Sequence, residues 1–417
     1  MIKKPIAIIA LLTALNFINY LDRYIVAAVL PRIKAELGLA GWQEGLLATV
    51  FLLGYFLTAP LFGALGDRAS RKRLIAFGVM VWSVATIASG LSSSFATLLL
   101  ARVFVGVGEA SYATLAPTII DDITPPEKKG KMLAIFFLAV PLGSALGYMV
   151  GGKVQEIWGW RHAFYVGGIP GVALALVVLV IEEPARKAHA IKNSILAGAK
   201  KLFAIPLYRR AVLGYSAHTG AIGAFSFWAP SFLVASFPHV GVTDKAALAS
   251  ASFLFGAVTV VAGAIGTILG GRLTDRALAR LPPVPVDAPH DDPRNRAAAI
   301  AQLRICAVGV AIAFPLATAA FLAPSKPVFY ALCGIAEVGL FLSTSPINAI
   351  LLRTSPVWMR ASAMAVGIFA IHLLGDLWSP TVLGILIDHL PGALAMMIVP
   401  LGFAIATYTW WPRPREA

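Results

Sequence analysis

The chain has 417 residues, of which 59% are hydrophobic and 13% are charged, and its formal net charge is +14. An ordinary soluble domain has roughly 25% charged residues, so this composition argues against a soluble enzyme, a nucleic-acid-binding protein and a disulfide-stapled secreted domain. Apolar stretches of about 20 residues, the length that crosses the hydrocarbon core, recur along almost the whole chain. The sequence therefore predicts a polytopic membrane protein.

Twelve membrane-spanning helices are predicted from these stretches. In chain order their approximate bounds are 6–30, 43–66, 74–92, 95–120, 131–152, 162–181, 210–236, 247–271, 300–322, 327–352, 361–387 and 392–411. The opening MIKKPIAIIALLTALNF resembles a signal peptide, but the apolar run continues to Leu30 without a small-residue cleavage site. We therefore interpret it as the first membrane helix.

The basic residues are distributed unevenly between the two sides of the predicted bundle. If the N-terminus is cytoplasmic, 26 of the 34 Lys and Arg residues fall in cytoplasmic segments or in the first turns of helices that begin there, six fall outside and two fall deeper within helices. This asymmetry follows the positive-inside rule, and it predicts a cell (inner) membrane protein with both termini in the cytoplasm. The excess of basic residues therefore reflects the orientation of the chain in the membrane, with some attraction for membrane lipids. No nucleic-acid partner is expected.

An internal repeat divides the chain into halves. Residues 63–68 read GALGDR and residues 271–276 read GRLTDR, and each follows an even-numbered span. We predict that one six-helix unit is used twice, as an N-terminal bundle at 1–181 and a C-terminal bundle at 210–417. The basic linker at 182–209 has apolar residues from Ile191 to Phe203 at near-helical spacing. This spacing favours a short helix at the cytoplasmic membrane surface over a flexible linker.

The loop after the second span carries a recognisable motif. GALGDRASRKR (63–73) resembles the loop motif of the major facilitator superfamily, although Ser70 stands where glycine is usual. The resemblance implies an all-α membrane protein with twelve transmembrane helices in two pseudo-symmetric six-helix bundles. It also implies a gating cluster, in which these charges hold one half of the protein against the other in one state and separate in the other state. The alternative is that the charges only anchor the ends of helices. The predicted gating residues of both copies are Gly63, Asp67, Arg68, Arg71, Asp275 and Arg276.

The first and fourth spans contain charged residues at membrane depth. An ionisable residue there costs at least about 2.5 kcal/mol on insertion scales, so each is expected to face a partner or a cavity. Asp22 and Arg102 both lie roughly 10–12 Å below the predicted outer surface, and Glu109 lies about 10 Å deeper. We predict an ion pair between Asp22 and Arg102 that opens when Asp22 is protonated. A purely structural buried pair is the alternative.

Four segments together resemble the spinster family of lipid transporters. They are FINYLDRYIVAAVLPRI (17–33), GLLATVFLLGYFLTAPLFGALGDRASRK (45–72), ARVFVGVGEASYATLAPTII (101–120) and FFLAVPLGSALGYMVGG (136–152). The resemblance implies that Asp22, Arg23, Arg102 and Glu109 take part in proton sensing and transport. It also implies an amphiphilic lipid substrate such as a lysophospholipid or a sphingosine-1-phosphate-like molecule.

Further polar residues are candidates for the transport pathway. Asn16 and Asn19 share a stripe with Arg23 on the first helix, and we predict that all three contact substrate together with Arg102 and Glu337. Glu337 in the tenth span and the pair His372 and Asp376 in the eleventh either line the cavity or serve structural bonds.

We therefore predict a proton-linked secondary transporter that works by alternating access, with Asp22 and Glu109 as the proton-coupling residues. The chain has no nucleotide-binding motif, and its two cysteines lack metal-ligand spacing, so we expect no cofactor, no metal and no enzymatic activity. A monomer is expected, with an amphiphilic substrate, protons and membrane lipids as its partners. A symporter of small organic anions such as sugar acids is the main alternative, and a membrane receptor or a lipid-modifying enzyme is a weaker one.

Overall fold

The computed structural model describes residue 2 and residues 4–125, 128–183, 195–237, 243–284, 289–356 and 359–413. Within these ranges, twelve helical spans are long and apolar enough to cross a membrane. The predicted number of spans is thereby confirmed. The strand content of the described residues is limited to one isolated bridge between Ile2 and Ile181.

The first six spans are continuous helices. They are α1 (Pro5–Leu37), α2 (Gly41–Gly66), α3 (Arg71–Leu91), α4 (Phe95–Ile123), α5 (Lys129–Trp158) and α6 (Trp160–Val178). A short helix, α7 (Ile195–Ala204), follows in the linker.

Of the last six spans, the first three are single helices and the other three are interrupted. The seventh to ninth are α8 (Pro206–Ser236), α9 (Asp244–Leu278) and α10 (Pro293–Phe321). The tenth comprises α11 (Lys326–Phe341) and α12 (Thr344–Arg353); the eleventh comprises α13 (Arg360–Ile371), a π-helical turn (His372–Asp376) and α14 (Ser379–His389). The twelfth comprises α15 (Gly392–Ala395) and α16 (Ile398–Trp410).

The tenth, eleventh and twelfth spans are each interrupted, and proline explains each interruption. A helical proline cannot donate to the carbonyl four residues before it. For Pro346, Pro380 and Pro400 that carbonyl belongs to residues 342, 376 and 396, and each helix is interrupted there or at the next residue. In the eleventh span the chain instead forms a wider turn, in which the Leu377 amide donates to the His372 carbonyl at 3.1 Å.

α1 and α9 extend furthest beyond their predicted C-terminal ends. α1 continues past Pro31 and ends before Gly38, whose φ of 64° allows a left-handed cap. α9 continues to Leu278, so GRLTDR forms the last turns of a helix and not a loop. No proline interrupts the chain between this sequence and Pro282, which is why the helix continues.

The chain forms two compact units. The first comprises Met1–His189 with Phe227–Ala257, and the second comprises Ala190–Ser226 with Val258–Ala417. These two units are defined by packing within the structure. The division at 1–181 and 210–417 is defined by the repeat in the sequence, and it stays a prediction.

Glycine allows close backbone contact inside the first unit. A Cβ on Gly106 of α4 would lie 1.9 Å from the carbonyl oxygen of Phe51 on α2. Glycines of α5 contact α1 in the same way, since a Cβ on Gly143 or Gly147 would lie 2.6 or 2.5 Å from carbonyl oxygens of α1. Close approach of small residues is a common way to pack helices in membranes, and the glycines of α5 pack against α1 in this way.

The second unit contains the linker helix. Leu202 of α7 is buried while Lys200 and Lys201 are exposed, so the helix is amphipathic as predicted. It packs against α13. Ile191, where the predicted apolar pattern begins, lies outside the described residues.

The contact between α2 and α4 yields a stability prediction. Gly106→Ala should lower the free energy of unfolding by about 2–3 kcal/mol, because the new methyl group meets a backbone carbonyl that cannot rotate away. Gly63→Ala is the matched control on the same helix pair, since the nearest atom to its Cβ would be 3.8 Å away. Thermal unfolding in detergent checks both, and equal effects of the two substitutions would contradict the packing argument.

Candidate functional site

Charged side chains of α1 and α4 lie together inside the first unit. Asp22 and Glu109 are completely buried, Arg102 is 1% exposed, and the Arg23 side chain is 23% exposed. Three of these four charges are thus buried, and Arg23 is partly exposed. We call these four residues the charged cluster.

An ion pair connects α1 to α4 within the charged cluster. Nη2 of Arg23 donates to Oε2 of Glu109 at 2.5 Å. The second carboxylate oxygen of Glu109, Oε1, is buried without a hydrogen-bond partner among the described residues. Arg23 therefore neutralises Glu109, and one carboxylate oxygen is left to accept a further hydrogen bond.

The predicted Asp22–Arg102 ion pair is not formed. Oδ2 of Asp22 instead accepts a hydrogen bond from Thr86 Oγ1 of α3 at 2.5 Å. Its Oδ1 faces α6, where a Cβ on Gly167 would lie 3.3 Å away. Successive helical residues point about 100° apart, so Asp22 faces α3 and α6 while Arg23 faces α4.

An aromatic side chain supports both arginines. The guanidinium carbons of Arg23 and Arg102 each lie 4.9 Å from the centre of the Phe51 ring on α2. Arg23 also lies 4.8 Å from the ring centre of Tyr20. Cations are attracted to aromatic faces, most strongly away from water, so Phe51 positions both charges without neutralising them.

The charged cluster retains unused hydrogen-bonding capacity. Buried atoms without a partner among the described residues are Nδ2 of Asn19, Oδ1 of Asp22, Nε and Nη1 of Arg102 and Oε1 of Glu109. Buried polar groups are nearly always paired, so an unpaired set of both donors and acceptors needs an explanation. Asn16 is different, because its Nδ2 donates to the Phe136 carbonyl of α5 at 2.9 Å.

Glu337 lies in the second unit and is 4% exposed. Its Oε1 accepts from Thr259 Oγ1 at 3.1 Å and from Cys333 Sγ at 3.9 Å, while its Oε2 has no partner among the described residues. It borders a small apolar cavity whose wall includes Phe225 and Phe329. A buried carboxyl with a free oxygen is thus present in this unit as well.

The eleventh span places His372 and Asp376 in its π-helical turn. Nδ1 of His372 lies 2.9 Å from Oδ1 of Asp376. π-helical turns often occur at functional positions in helices. Gly375, which immediately precedes Asp376, packs on the backbone of Gly220 in α8. This contact fixes the π-helical turn against α8.

The predicted gating residues are placed at helix ends. Asp67 and Arg68 are exposed after α2, and Asp275 and Arg276 are exposed near the end of α9. Arg71 is different, because its Nη1 pairs with Oδ2 of Asp122 at 2.7 Å and both side chains are less than 10% exposed. This buried pair joins the start of α3 to the end of α4.

Glu183 was not predicted from the sequence. Its carboxylate accepts hydrogen bonds from the Ser70 hydroxyl and from the Arg71 amide, the latter at 2.6 Å. Lys72 Nζ adds a bond to the Ile181 carbonyl at 2.8 Å. An acidic group at a helix N-terminus is stabilising, so Glu183 fixes the beginning of the linker to α3.

Other missed residues gave little signal in the sequence. Phe51 and Thr86 stand in apolar helices where neither residue type is unusual, so only the packing of four helices reveals their roles. Cys306 and Cys333 are free and buried. Within the described ranges, no group of three metal-ligating side chains occurs.

The Arg23–Glu109 pair can be tested with a double-mutant cycle. Glu109→Gln and Arg23→Gln should each lower the free energy of unfolding by roughly 3 kcal/mol, because each leaves one charge without its partner. The double variant should lose much less than the sum, and denaturant unfolding in detergent measures the difference.

The exposed Lys153–Glu156 pair on α5 is the matched control. Its coupling free energy should stay below about 0.5 kcal/mol, as is usual for surface pairs. Additive effects of Arg23→Gln and Glu109→Gln would contradict the pairing.

Comparisons with known proteins agree with this architecture. The sequence pattern described as Major Facilitator Superfamily matches residues 12–380. Human protein spinster homolog 1 is 35% identical over 402 residues, which cover 92% of this chain and 73% of that protein. Drosophila melanogaster protein spinster is 34% identical over 384 residues, which cover 90% of this chain and 61% of that protein.

Solved structures show the same fold. A bacterial homologue of the human lysosomal transporter spinster, in an inward-facing and occupied conformation, superposes with a TM-score of 0.82 at 23% identity, over 98% of this chain and 97% of that one. A D-xylose–proton symporter superposes with a TM-score of 0.73 at 16% identity, over 99% of both chains. The chain is a transporter of the major facilitator superfamily and belongs to its spinster family.

Proposed function

We propose that this protein is a proton-coupled transporter of amphiphilic lipids with a phosphate-bearing head group. The observation that carries the proposal is the charged cluster, in which two arginines and two carboxylates lie together on two membrane-spanning helices with donors and acceptors unused. Such groups are costly in a membrane, and transporters place them on ion and substrate pathways.

Arg102 is the proposed contact for the lipid head group. Its Nε and Nη1 have no acceptor among the described residues, and the Phe51 ring holds the guanidinium by its face. Arginine donates charge-assisted hydrogen bonds to phosphate oxygens, which a lysophospholipid or sphingosine-1-phosphate head group would supply. Asn19, with an unpaired amide nitrogen, and Arg23 lie on the neighbouring helix and would complete the polar contacts.

The ion pair supplies a route for proton coupling. Protonation of Glu109 would remove the negative charge that holds Arg23 and would release the guanidinium for an anionic head group. Asp22 carries a second exchangeable proton, because its completely buried carboxyl has a single hydroxyl donor, Thr86, among the described residues. A proton and an anionic substrate would therefore bind in a linked manner, as alternating access between two states requires.

We also propose roles for the gating residues and an orientation in the membrane. Arg71 and Asp122 would hold α3 and α4 together in one state, with the exposed charges at residues 67, 68, 275 and 276 acting in the exchange between states. We further propose a monomer in the cell (inner) membrane with both termini in the cytoplasm.

Flux of labelled lysophospholipid into proteoliposomes, with and without an imposed pH gradient, tests the proposal. Wild-type flux should rise with the gradient. Asp22→Asn should lose at least about tenfold of this gradient-driven component, because the side chain can no longer exchange a proton. Arg102→Gln should lose flux under both conditions, because the head group loses its charged partner.

Glu156→Gln, which changes an exposed carboxylate of the same unit, is the matched control and should retain wild-type flux. Gradient-independent flux in the wild type would reject proton coupling while leaving a lipid carrier. Absence of lipid flux combined with uptake of a labelled sugar acid would instead establish a small organic anion symporter.

A further inference from the structure

A cavity in the second unit is lined by none of the residues of the charged cluster. It has a volume of about 480 Å³ and is formed where α9 ends, α10 begins, α12 ends and α13 begins. Its size falls in the range of small-molecule sites, which is about 300–1,000 Å³. The positive-inside topology predicts that all four of these helix ends face the cytoplasm.

Three polar side chains from three helices converge on this cavity: Asn295, Arg353 and Arg360. Nη1 of Arg353 donates to Oδ1 of Asn295 at 3.2 Å. The Nε atoms of Arg353 and Arg360 are buried and have no hydrogen-bond partner among the described residues. Two guanidinium groups thus share one cavity, and an anion between them would relieve their mutual repulsion.

The rest of the wall is apolar. It includes Leu278, Pro282 and Leu352, and none of the described residues that line the cavity is acidic. Leu352 is 38% exposed although it lies beside the two arginines. A cationic pair at the membrane surface combined with an apolar wall matches an anionic head group attached to an apolar body better than it matches a small hydrophilic ion.

We propose that this cavity binds a phosphate-bearing anion, supplied by the head group of an anionic membrane lipid. The cavity shares no lining residue with the charged cluster. Arg353 and Arg360 would each donate to phosphate oxygens, and Asn295 would hold Arg353 in position. The apolar wall would contact the glycerol and the first methylene groups.

Native mass spectrometry of the full-length protein in detergent tests this proposal, with short-chain phosphatidylglycerol as the probe and short-chain phosphatidylcholine as the zwitterionic comparison. Wild-type protein should retain phosphatidylglycerol in preference to phosphatidylcholine. Arg353→Gln and Arg360→Gln should each weaken phosphatidylglycerol binding by about tenfold, since each removes a charge-assisted hydrogen-bond donor.

Arg280→Gln is the matched control, because Arg280 is exposed near the end of α9 and does not line the cavity. It should bind phosphatidylglycerol like the wild type. Ala349→Phe fills the cavity without changing charge, and it should cause a loss similar to that of the arginine variants. This variant keeps the proposal testable if an arginine substitution prevents folding.

Competition with inorganic phosphate distinguishes the two sources of the anion. Retention of the lipid in excess phosphate supports a lipid head group as the ligand. Displacement of the lipid by phosphate supports recognition of the phosphate group but overturns the assignment to a lipid. Wild-type binding in Arg353→Gln, Arg360→Gln and Ala349→Phe, or an equal loss in Arg280→Gln, would overturn the site altogether.

Discussion

The first unit is organised around the cost of burying charge. Asp22, Arg102 and Glu109 are almost completely inaccessible, and an isolated ion in such surroundings would be neutralised or would prevent folding. The contact of Arg23 with Glu109 lowers this cost for one carboxylate, and the hydroxyl of Thr86 lowers it for the other. The packing of α1, α2, α3 and α4 follows from this constraint, because each helix supplies one group that a neighbour needs.

Close helix packing makes this arrangement geometrically possible. Phe51 can contact two guanidinium groups because Gly106 brings α4 against the backbone of α2 at the same residue. The glycines of α5 similarly bring α1 near enough for Asn16 to donate to a carbonyl of α5. Small residues therefore determine where the polar groups meet, and the polar groups determine what the first unit can bind.

Hydropathy predicted most of the fold, because twelve apolar stretches are visible in the printed sequence. The grouping of the four charges on α1 and α4 was also predictable, since their helical spacing follows from residue counts. Their partners were not, because Asp22 and Arg23 are adjacent in sequence but face different helices. The helix interruptions before Pro346, Pro380 and Pro400 were missed because Pro31, Pro60 and other prolines lie inside helices that remain continuous. Glu183 was missed because it caps α3 from over 100 residues away in the sequence, and such a contact leaves no pattern in the residues around either position.

The central claim is that lipid binding and proton binding are linked at the charged cluster. Difference infrared spectroscopy of the carboxyl band, recorded as lysophospholipid is added to the purified protein, tests it most directly. The account predicts a change in protonated carboxyl signal on lipid addition, with the contribution of Glu109 absent from Glu109→Gln and that of Asp22 absent from Asp22→Asn. A carboxyl band that stays constant while the wild-type protein binds lipid would contradict the account.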